Sequence, residues 1–306
     1  MYHFIINPAS STGNGLRIWN QLKEILKEQD IEYTSYLTDG IGSASSIAKS
    51  LTENGCQGTI VVLGGDGTMN EVLSGMQSYE NITLGYIPTG SSNDLARDLG
   101  IPSDPKKALS IVLHPNEYKL TDVGMMNTPD GKEYKFGVSM GIGYDAAICH
   151  EALHSKIKKK LNQWHLGKLT YLIIALKQLI RTKSHDCELI LDDTRVIPLH
   201  NYIFVTVMVH KYEGGGFMFC PEADCSDGYL DICLACNVSK LRTLFILPTA
   251  FKGEHIRHKG IQTLRAKKVR IITDQKAPVH TDGESAGFQT EITMSTAPCQ
   301  VRFIVA

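Results

Sequence analysis

Two strand-like runs in the first hundred residues each break into a glycine-bearing loop and then into a helical pattern, and no other feature constrains the fold as strongly. Ile60-Val61-Val62-Leu63 opens into Gly64-Gly65-Asp66-Gly67-Thr68-Met69-Asn70-Glu71, followed by the helical Val72-Leu73. Leu84-Gly85-Tyr86-Ile87 opens into Pro88-Thr89-Gly90-Ser91-Ser92-Asn93-Asp94, followed by Leu95-Ala96-Arg97. Strand, tight turn and helix in alternation is the pattern of βαβ units, whose parallel sheet is covered by helices on both faces. Further β-rich runs at 2–6, 31–36 and 117–121 and helical spacing over 16–29, 43–54 and 68–77 extend it. The N-terminal part is therefore expected to be a doubly wound parallel-sheet nucleotide domain.

The same loops carry the first functional signal. Glycine lets backbone approach an anion closely, and a helix N-terminus presents free N–H groups and the positive end of its dipole. Asp66 would repel a phosphate directly, so it suits a cation or a cation-bound water beside one. A plain β-to-α turn that needs φ > 0 explains either loop taken singly. Two of them at neighbouring strand ends fall where open α/β sheets bind ligands. Neither is a G-x-x-x-x-G-K-[ST] P-loop, and no G-x-G-x-x-G follows the first strand.

From about residue 134 the pattern changes to strands separated by Gly, Asp and Pro turns, with one long helical stretch from Tyr144 to Lys183. Runs at 186–191, 194–198, 200–209, 229–235, 261–273 and 288–294 predict a mainly antiparallel β-sandwich domain. Two domains are expected, 1–125 and 126–295, with the last strand, about 296–306, open to either. The 306 residues are 42% hydrophobic, enough for two filled cores, and the net charge of −1 gives no reason to expect nucleic acid as partner. Met1-Tyr2-His3-Phe4-Ile5-Ile6 lacks a basic region ahead of its apolar run and reads as a first strand, not a signal peptide. Eight cysteines in that context read as reduced thiols, and a cytoplasmic chain is expected.

Gly64 to Glu71 with Pro88 to Asp94 resembles the diacylglycerol kinase catalytic-domain family, relatives of the sphingosine and ceramide kinases and more distantly of the NAD kinases. The likeness extends over Asn7-Pro8, Gly141-Ile142-Gly143-Tyr144-Asp145-Ala146, Gly214-Gly215-Gly216-Phe217, Asp227-Gly228-Tyr229-Leu230-Asp231 and Asp282-Gly283-Glu284. The resemblance implies a lipid kinase that moves the γ-phosphate of ATP, with Mg2+, to the hydroxyl of diacylglycerol or a related membrane lipid. It assigns nucleotide contacts to Asn7, Pro8, Ala9, Ser10, Ser11 and Thr38, to Gly64, Gly65, Asp66, Gly67, Thr68, Met69 and Asn70, and to Thr89. It assigns Asp227, with main-chain oxygens of Asp224 and Tyr229, to a structural magnesium. Glu284 becomes the base for the lipid hydroxyl, with Asp282 beside it, because phosphoryl transfer needs positioning, charge neutralisation and one proton acceptor. Asp94 and Asp122 are assigned to a water-mediated network with Asp66. Read without the resemblance, Asp227-Gly228 and Asp282-Gly283 are hairpin turns.

Competing signals are weaker. His150-Glu151-Ala152-Leu153-His154 has the zinc-protease H-E-x-x-H spacing, but His165 stands at the wrong distance for the extended motif. Cys233 and Cys236 would face opposite sides of one strand. Between Lys156 and Lys183 there are eight Lys or Arg and no acid among apolar residues, which suits either peripheral contact with an anionic membrane or a solvated basic helix face. A soluble-metabolite kinase of NAD-kinase type and a non-catalytic nucleotide sensor are the alternatives, and a homodimer is left open. The Asp282-Gly283-Glu284 motif favours a lipid acceptor over the first, and retention of a base argues against the second.

Overall fold

The computed structural model describes residues 1–53, 55, 57–154, 177–178 and 185–306. The first sheet takes β1 (Tyr2–Ile6), β2 (Tyr33–Leu37), β3 (Gly58–Gly64), β4 (Ile82–Pro88) and β5 (Glu117–Thr121). The second takes β6 (Gly124–Asn127), β7 (Glu133–Phe136), β8 (Ser139–Gly143), β9 (His185–Leu191), β10 (Arg195–Met208), β13 (Leu230–Cys236), β14 (Ile261–Ala266), β15 (Lys268–Thr281) and β16 (Glu284–Thr296). A small hairpin, β11 (Tyr212–Glu213) with β12 (Phe217–Met218), stands apart, and β17 (Val301–Val305) returns to the first sheet.

The first sheet runs β2-β1-β3-β4-β17-β5. Strands β1 to β4 and β17 are parallel, while β5 is an antiparallel edge. The order departs in opposite directions from β1, to β2 on one side and β3 on the other. That reversal opens a crevice at the strands' carboxyl ends between β1 and β3. Its flanking elements are the turn α1 (Ser10–Gly13), α2 (Gly15–Glu28), α3 (Ser43–Glu53), α4 (Asp66–Gly75), α5 (Asp94–Asp98) and α6 (Pro105–Leu113). In α2 the helical spacing predicted for 16–29 buries Trp19, Leu22 and Leu26, and Trp19 packs its ring 5.0 Å from Phe4 of β1. Each such side chain contributes roughly 1.5–3 kcal/mol on burial.

The second sheet runs β14-β13-β10-β8-β15-β16-β6-β7, and among the described residues its strands pair antiparallel. Both β8 and β9 bridge β10 and β15, with β9 against their N-terminal halves and β8 against their C-terminal halves. The long strands thus change partner midway, which gives the sandwich-like form. The helical stretch expected from Tyr144 is described as α7 (Tyr144–His154); the basic segment from 156 to 183 lies almost wholly outside the described residues. A later helix, α8 (Lys240–Ile246), leads into single-turn segments Leu247–Lys252 and Glu254–Arg257.

Candidate active site

The crevice is lined by the loops that leave β1, β3 and β4. Asn7 follows β1 and donates from Nδ2 to the Thr68 hydroxyl at 3.0 Å, fastening the first loop to the start of α4. Its Oδ1 accepts from Ala9 N–H at 3.0 Å, and Ser10 Oγ, which donates to Asn7 O at 2.8 Å, accepts from Thr89 Oγ1 at 2.8 Å. Pro8 and Ser11 lie on the same turn, Ser11 with a left-handed φ of 53°. The loop after β3 touches the loop after β4 backbone to backbone. A Cβ on Gly65 would come 3.0 Å from Gly90 Cα, and one on Gly90 would come 2.6 Å from Gly65 Cα, so both positions require glycine. Thr38, at the end of β2, is buried and donates its N–H to Ile6 O. Met69 is buried in the first turn of α4.

Asp66 starts α4. Its Oδ2 accepts the Asp94 N–H at 3.2 Å, and Tyr86 Oη approaches its Oδ1 at 3.5 Å. Burial, and then the neighbouring Asp94 carboxylate, push its carboxyl up to about 6. Burial also raises Asp94, which accepts Gly215 N–H at 2.7 Å and Arg97 Nη1 at 2.7 Å. Asp94 is already ion-paired with Arg97, so Asp66 is the carboxylate here that an extra proton or a cation would neutralise. This donor set therefore fits a divalent ion brought in on a nucleotide's phosphates.

The second sheet supplies the Asp282-Gly283-Glu284 turn between β15 and β16. Asp282 is left-handed, φ 48°, and its carboxylate takes four donors: Asn70 Nδ2 at 2.8 Å and Gly137 N at 2.7 Å on Oδ2, and Val138 N and Ser139 N at 2.9 Å each on Oδ1. With four hydrogen bonds in place, Asp282 ties α4 to the β7–β8 turn and fixes the path of the chain into β16. Glu284, at the start of that strand, is exposed, and its Oε1 lies 3.3 Å from where a Cβ on Gly67 would stand. The carboxylate thus overhangs the N-terminus of α4, beside a cleft of about 280 Å³ lined by Asn70, Ser74, Tyr134, Lys135 and Ser285 among others.

Part of the glycine-loop motif serves the fold alone. Glu71 accepts Gly42 N–H at 3.0 Å and Ala44 N–H at 3.1 Å, so it caps α3 from across the helix pair. Three residues outside the expected site support it. His280 is fully buried, its Nδ1 accepts Gly283 N–H at 3.1 Å, and its Nε2 faces Glu213 Oε1 at 3.1 Å and Asp145 Oδ2 at 3.3 Å. Asp145 belongs to the Gly141–Ala146 run and His280 stands two residues before Asp282, so both were within reach of the motifs. Glu213 carried only the signal of preceding three glycines, which read as a turn.

The group at Asp224, Asp227 and Tyr229 is not brought to the crevice loops. Asp227 accepts Tyr229 N–H at 3.0 Å on Oδ1 and is ion-paired through Oδ2 with Arg265, whose guanidinium also lies 4.6 Å from the Tyr229 ring. Asp224 is turned to Ser226, and Asp122 joins this loop, not Asp66, by accepting Gly228 N–H at 2.8 Å. Arg265 thus competes with a cation for the Asp227 carboxylate, the side-chain ligand that the resemblance assigns to a structural magnesium. Of the zinc-protease spacing, Glu151 is ion-paired with Lys177 and His150 Nε2 lies 2.8 Å from Ser285 Oγ, so neither is arranged for a metal.

A helix-covered parallel sheet with glycine loops at a reversal of strand order, joined to an antiparallel sandwich that projects acids over them, defines a phosphotransferase of the lipid and NAD kinase type. Residues 1–126 match the diacylglycerol kinase catalytic domain, and residues 139–305 match the YegS C-terminal NAD kinase beta sandwich-like domain. The chain belongs to the diacylglycerol kinase catalytic-domain family. It is 29% identical over 301 residues to a diacylglycerol kinase of Mycobacterium tuberculosis, covering 97% of this chain and 93% of that protein. It is 27% identical over 285 residues to a diacylglycerol kinase of Bacillus subtilis, covering 92% and 89%. A crystal structure of a diacylglycerol kinase from Bacillus anthracis superimposes with a TM-score of 0.73 at 22% identity, covering 100% of this chain and 96% of the other. An Archaeoglobus fulgidus NAD kinase in complex with ATP superimposes with a TM-score of 0.52 at 15% identity, covering 99% and 93%.

Proposed function

We propose that this chain is an ATP-dependent lipid kinase, transferring the γ-phosphoryl group from a magnesium–ATP complex to the hydroxyl of diacylglycerol or a related membrane lipid. The observation that carries the reading is the overhang of Glu284 above the N-terminus of α4, with the buried Asp66 carboxylate held by the Asp94 N–H at the same crevice. The names of the relatives agree with it. Magnesium enters as part of the substrate, neutralising charge on the β- and γ-phosphates near Asp66 and Asp94. The loop amides of Gly64 to Asn70, the Asn7 turn with Ser10 and Ser11, and Thr38 and Thr89 orient the phosphates and nucleotide. No lysine in that loop offsets the phosphate charge, so the acids' hold on the cation matters more.

Glu284 is the group that accepts the lipid hydroxyl proton as that oxygen attacks, and the chain's own hydrogen bonds hold it there. Asp282, with both oxygens engaged by its four donors, acts on Glu284 through the backbone of the turn. His280 restrains the same turn from its other side through Gly283. The acceptor enters at the cleft between α4 and the β15–β16 turn.

Mass spectrometry of products from labelled ATP and a panel of lipids, with NAD and sphingoid bases included, tests the reading. Phosphorylated diacylglycerol or a close relative is expected. Phosphorylated NAD alone would replace it with the soluble-metabolite reading. ATP binding without transfer to any member would replace it with a sensor. Among the described residues no helix is long and apolar enough to cross a membrane; the reading has a cytoplasmic enzyme meet its lipid acceptor by peripheral contact at the bilayer surface.

A further inference from the structure

Helix α8 turns one face inward and leaves the other bare. Thr243 and Ile246 are buried, as is Ala250 on the next turn, whereas Leu241 is 67% exposed and Phe245 73% exposed. Leu244 borders them, and Phe251, on the single-turn segment that comes next, is 52% exposed. Large apolar side chains scattered singly over a surface require no explanation, but four within eleven residues form a patch. Its rim is cationic: from Ser239 to Lys259 the sequence has Lys240, Arg242, Lys252, Arg257 and Lys259 against a single acid, Glu254. Lys240, Arg242 and Lys252, the basic residues adjoining the patch, are themselves exposed.

The patch is also connected to the candidate active site. Phe251 stacks on Phe217 with ring centroids 4.1 Å apart. Phe217 is in β12, and the turn of the same hairpin donates Gly215 N–H to Asp94, while Glu213 of β11 faces His280. One short hairpin therefore touches both the exposed aromatic patch and the acids of the site.

We propose that α8 and the segment through Lys252 seat the protein on an anionic lipid bilayer, with Leu241, Leu244, Phe245 and Phe251 entering the acyl boundary. Lys240, Arg242 and Lys252 meet the phosphates of the headgroups. Bare aromatic and leucine side chains ringed by Lys and Arg are the composition of an interfacial surface. A second copy of the chain is a poorer occupant, because a two-fold contact would face this basic rim with itself. The inference rests on the lipid-kinase reading only for its purpose, since an acceptor that stays in the bilayer needs its enzyme held there.

The test is sedimentation with vesicles in the absence of nucleotide, so that it is independent of catalysis. Wild-type protein is expected to sediment with vesicles of phosphatidylcholine and phosphatidylglycerol, less with phosphatidylcholine alone, and less again at high salt. A Leu241→Ser, Phe245→Ser double variant, at the two most exposed positions of the patch, should bind anionic vesicles at least tenfold more weakly with an unchanged melting temperature. It should keep its turnover on a short-chain lipid in detergent while losing turnover on vesicles. Equal vesicle binding by variant and wild type, or no binding by wild type, overturns the proposal. A dimer that dissociates in the variant by sedimentation velocity would make the patch an interface between copies, and that also overturns it. Vesicle binding that is lost as expected, together with no phosphorylation of any lipid, would leave the seat standing and remove the kinase reading alone.

Discussion

His210 and Asp98 form the contact whose pH dependence is most directly calculable. His210 follows β10 of the second sheet, Asp98 ends α5 beside the first, and Nδ1 lies 2.7 Å from Oδ2 with both side chains buried. Burial alone would lower the imidazole, but the Asp98 carboxylate, helped by Cys225, outweighs it and pushes His210 up to about 9. Burial likewise works to raise Asp98, and the imidazole overcomes it and holds the carboxyl below the usual carboxylate range. A histidine raised in the folded state contributes stability that is complete below its unfolded value near 6.5 and is lost as pH rises through about 9. At about 1.4 kcal/mol per pH unit this amounts to roughly 3 kcal/mol. With an unfolding entropy of about 2.1 cal/mol/K per residue over 306 residues, it corresponds to a fall of roughly 5 °C. Thermal unfolding followed by circular dichroism from pH 6 to 9.5 should show that decline in wild type beyond whatever remains in a His210→Asn variant. If the two curves run parallel across the window, the pair is not an ion pair in the folded protein.

Three further outcomes test the site. Glu284→Gln keeps size and hydrogen bonding but cannot accept a proton, so calorimetry should find ATP affinity unchanged while lipid turnover drops about 10²–10⁴-fold; loss of both would mean the residue serves binding or folding. Asp282→Asn sets an amide N–H against two donors, Asn70 Nδ2 and Gly137 N, and should lower stability by about 2–4 kcal/mol along with turnover. A variant of native melting temperature but low turnover would instead make Asp282 a chemical participant. A structural magnesium at Asp227 has to displace Arg265, so magnesium should raise the melting temperature of wild type more than that of Asp227→Ala, and equal shifts would remove the ion from this loop.

The parts of this fold that the sequence makes legible are those with local causes. The β3 and β4 loops are readable because a buried strand, obligatory glycines and a helix start succeed one another within a dozen residues. The misreadings fall where a partner far along the chain decides. Runs 194–198 and 200–209 read as two strands. In the structure β10 continues through them with a register irregularity between Leu199 and Tyr202, and Asn201 takes the left-handed φ of 51°. The run 261–273 divides into β14 and β15 at Lys267, which belongs to neither strand. The last strand carries no mark of its sheet, and only the pairing of Phe303 with Leu84 and Lys119 puts β17 between β4 and β5. In the site, the acids at 66, 282 and 284 are visible as motifs, but the division of labour between 282 and 284 depends on four donors that lie far from them in the chain.

The β11–β12 hairpin shows why the remainder could not be read. Tyr212-Glu213-Gly214-Gly215-Gly216-Phe217 has the composition of a connection, and all three glycines do adopt positive φ. Yet in five residues it delivers a backbone N–H to Asp94, a carboxylate to His280 and an aromatic ring to Phe251. Asp94 in turn gives its own N–H to Asp66, and His280 receives the N–H of Gly283 next to Glu284. The route from the glycine loop of the first sheet to the acid turn of the second thus runs through one short hairpin, contact by contact. Of the hairpin's own contacts in this route only that to Asp94 uses the backbone; Glu213 and Phe217 act through their side chains, but they reach His280 and Phe251 because the three glycines between them turn the chain so that residues this close in sequence face three ways. A sequence records that bend only as glycine, and gives no sign of which distant partner each neighbouring side chain meets.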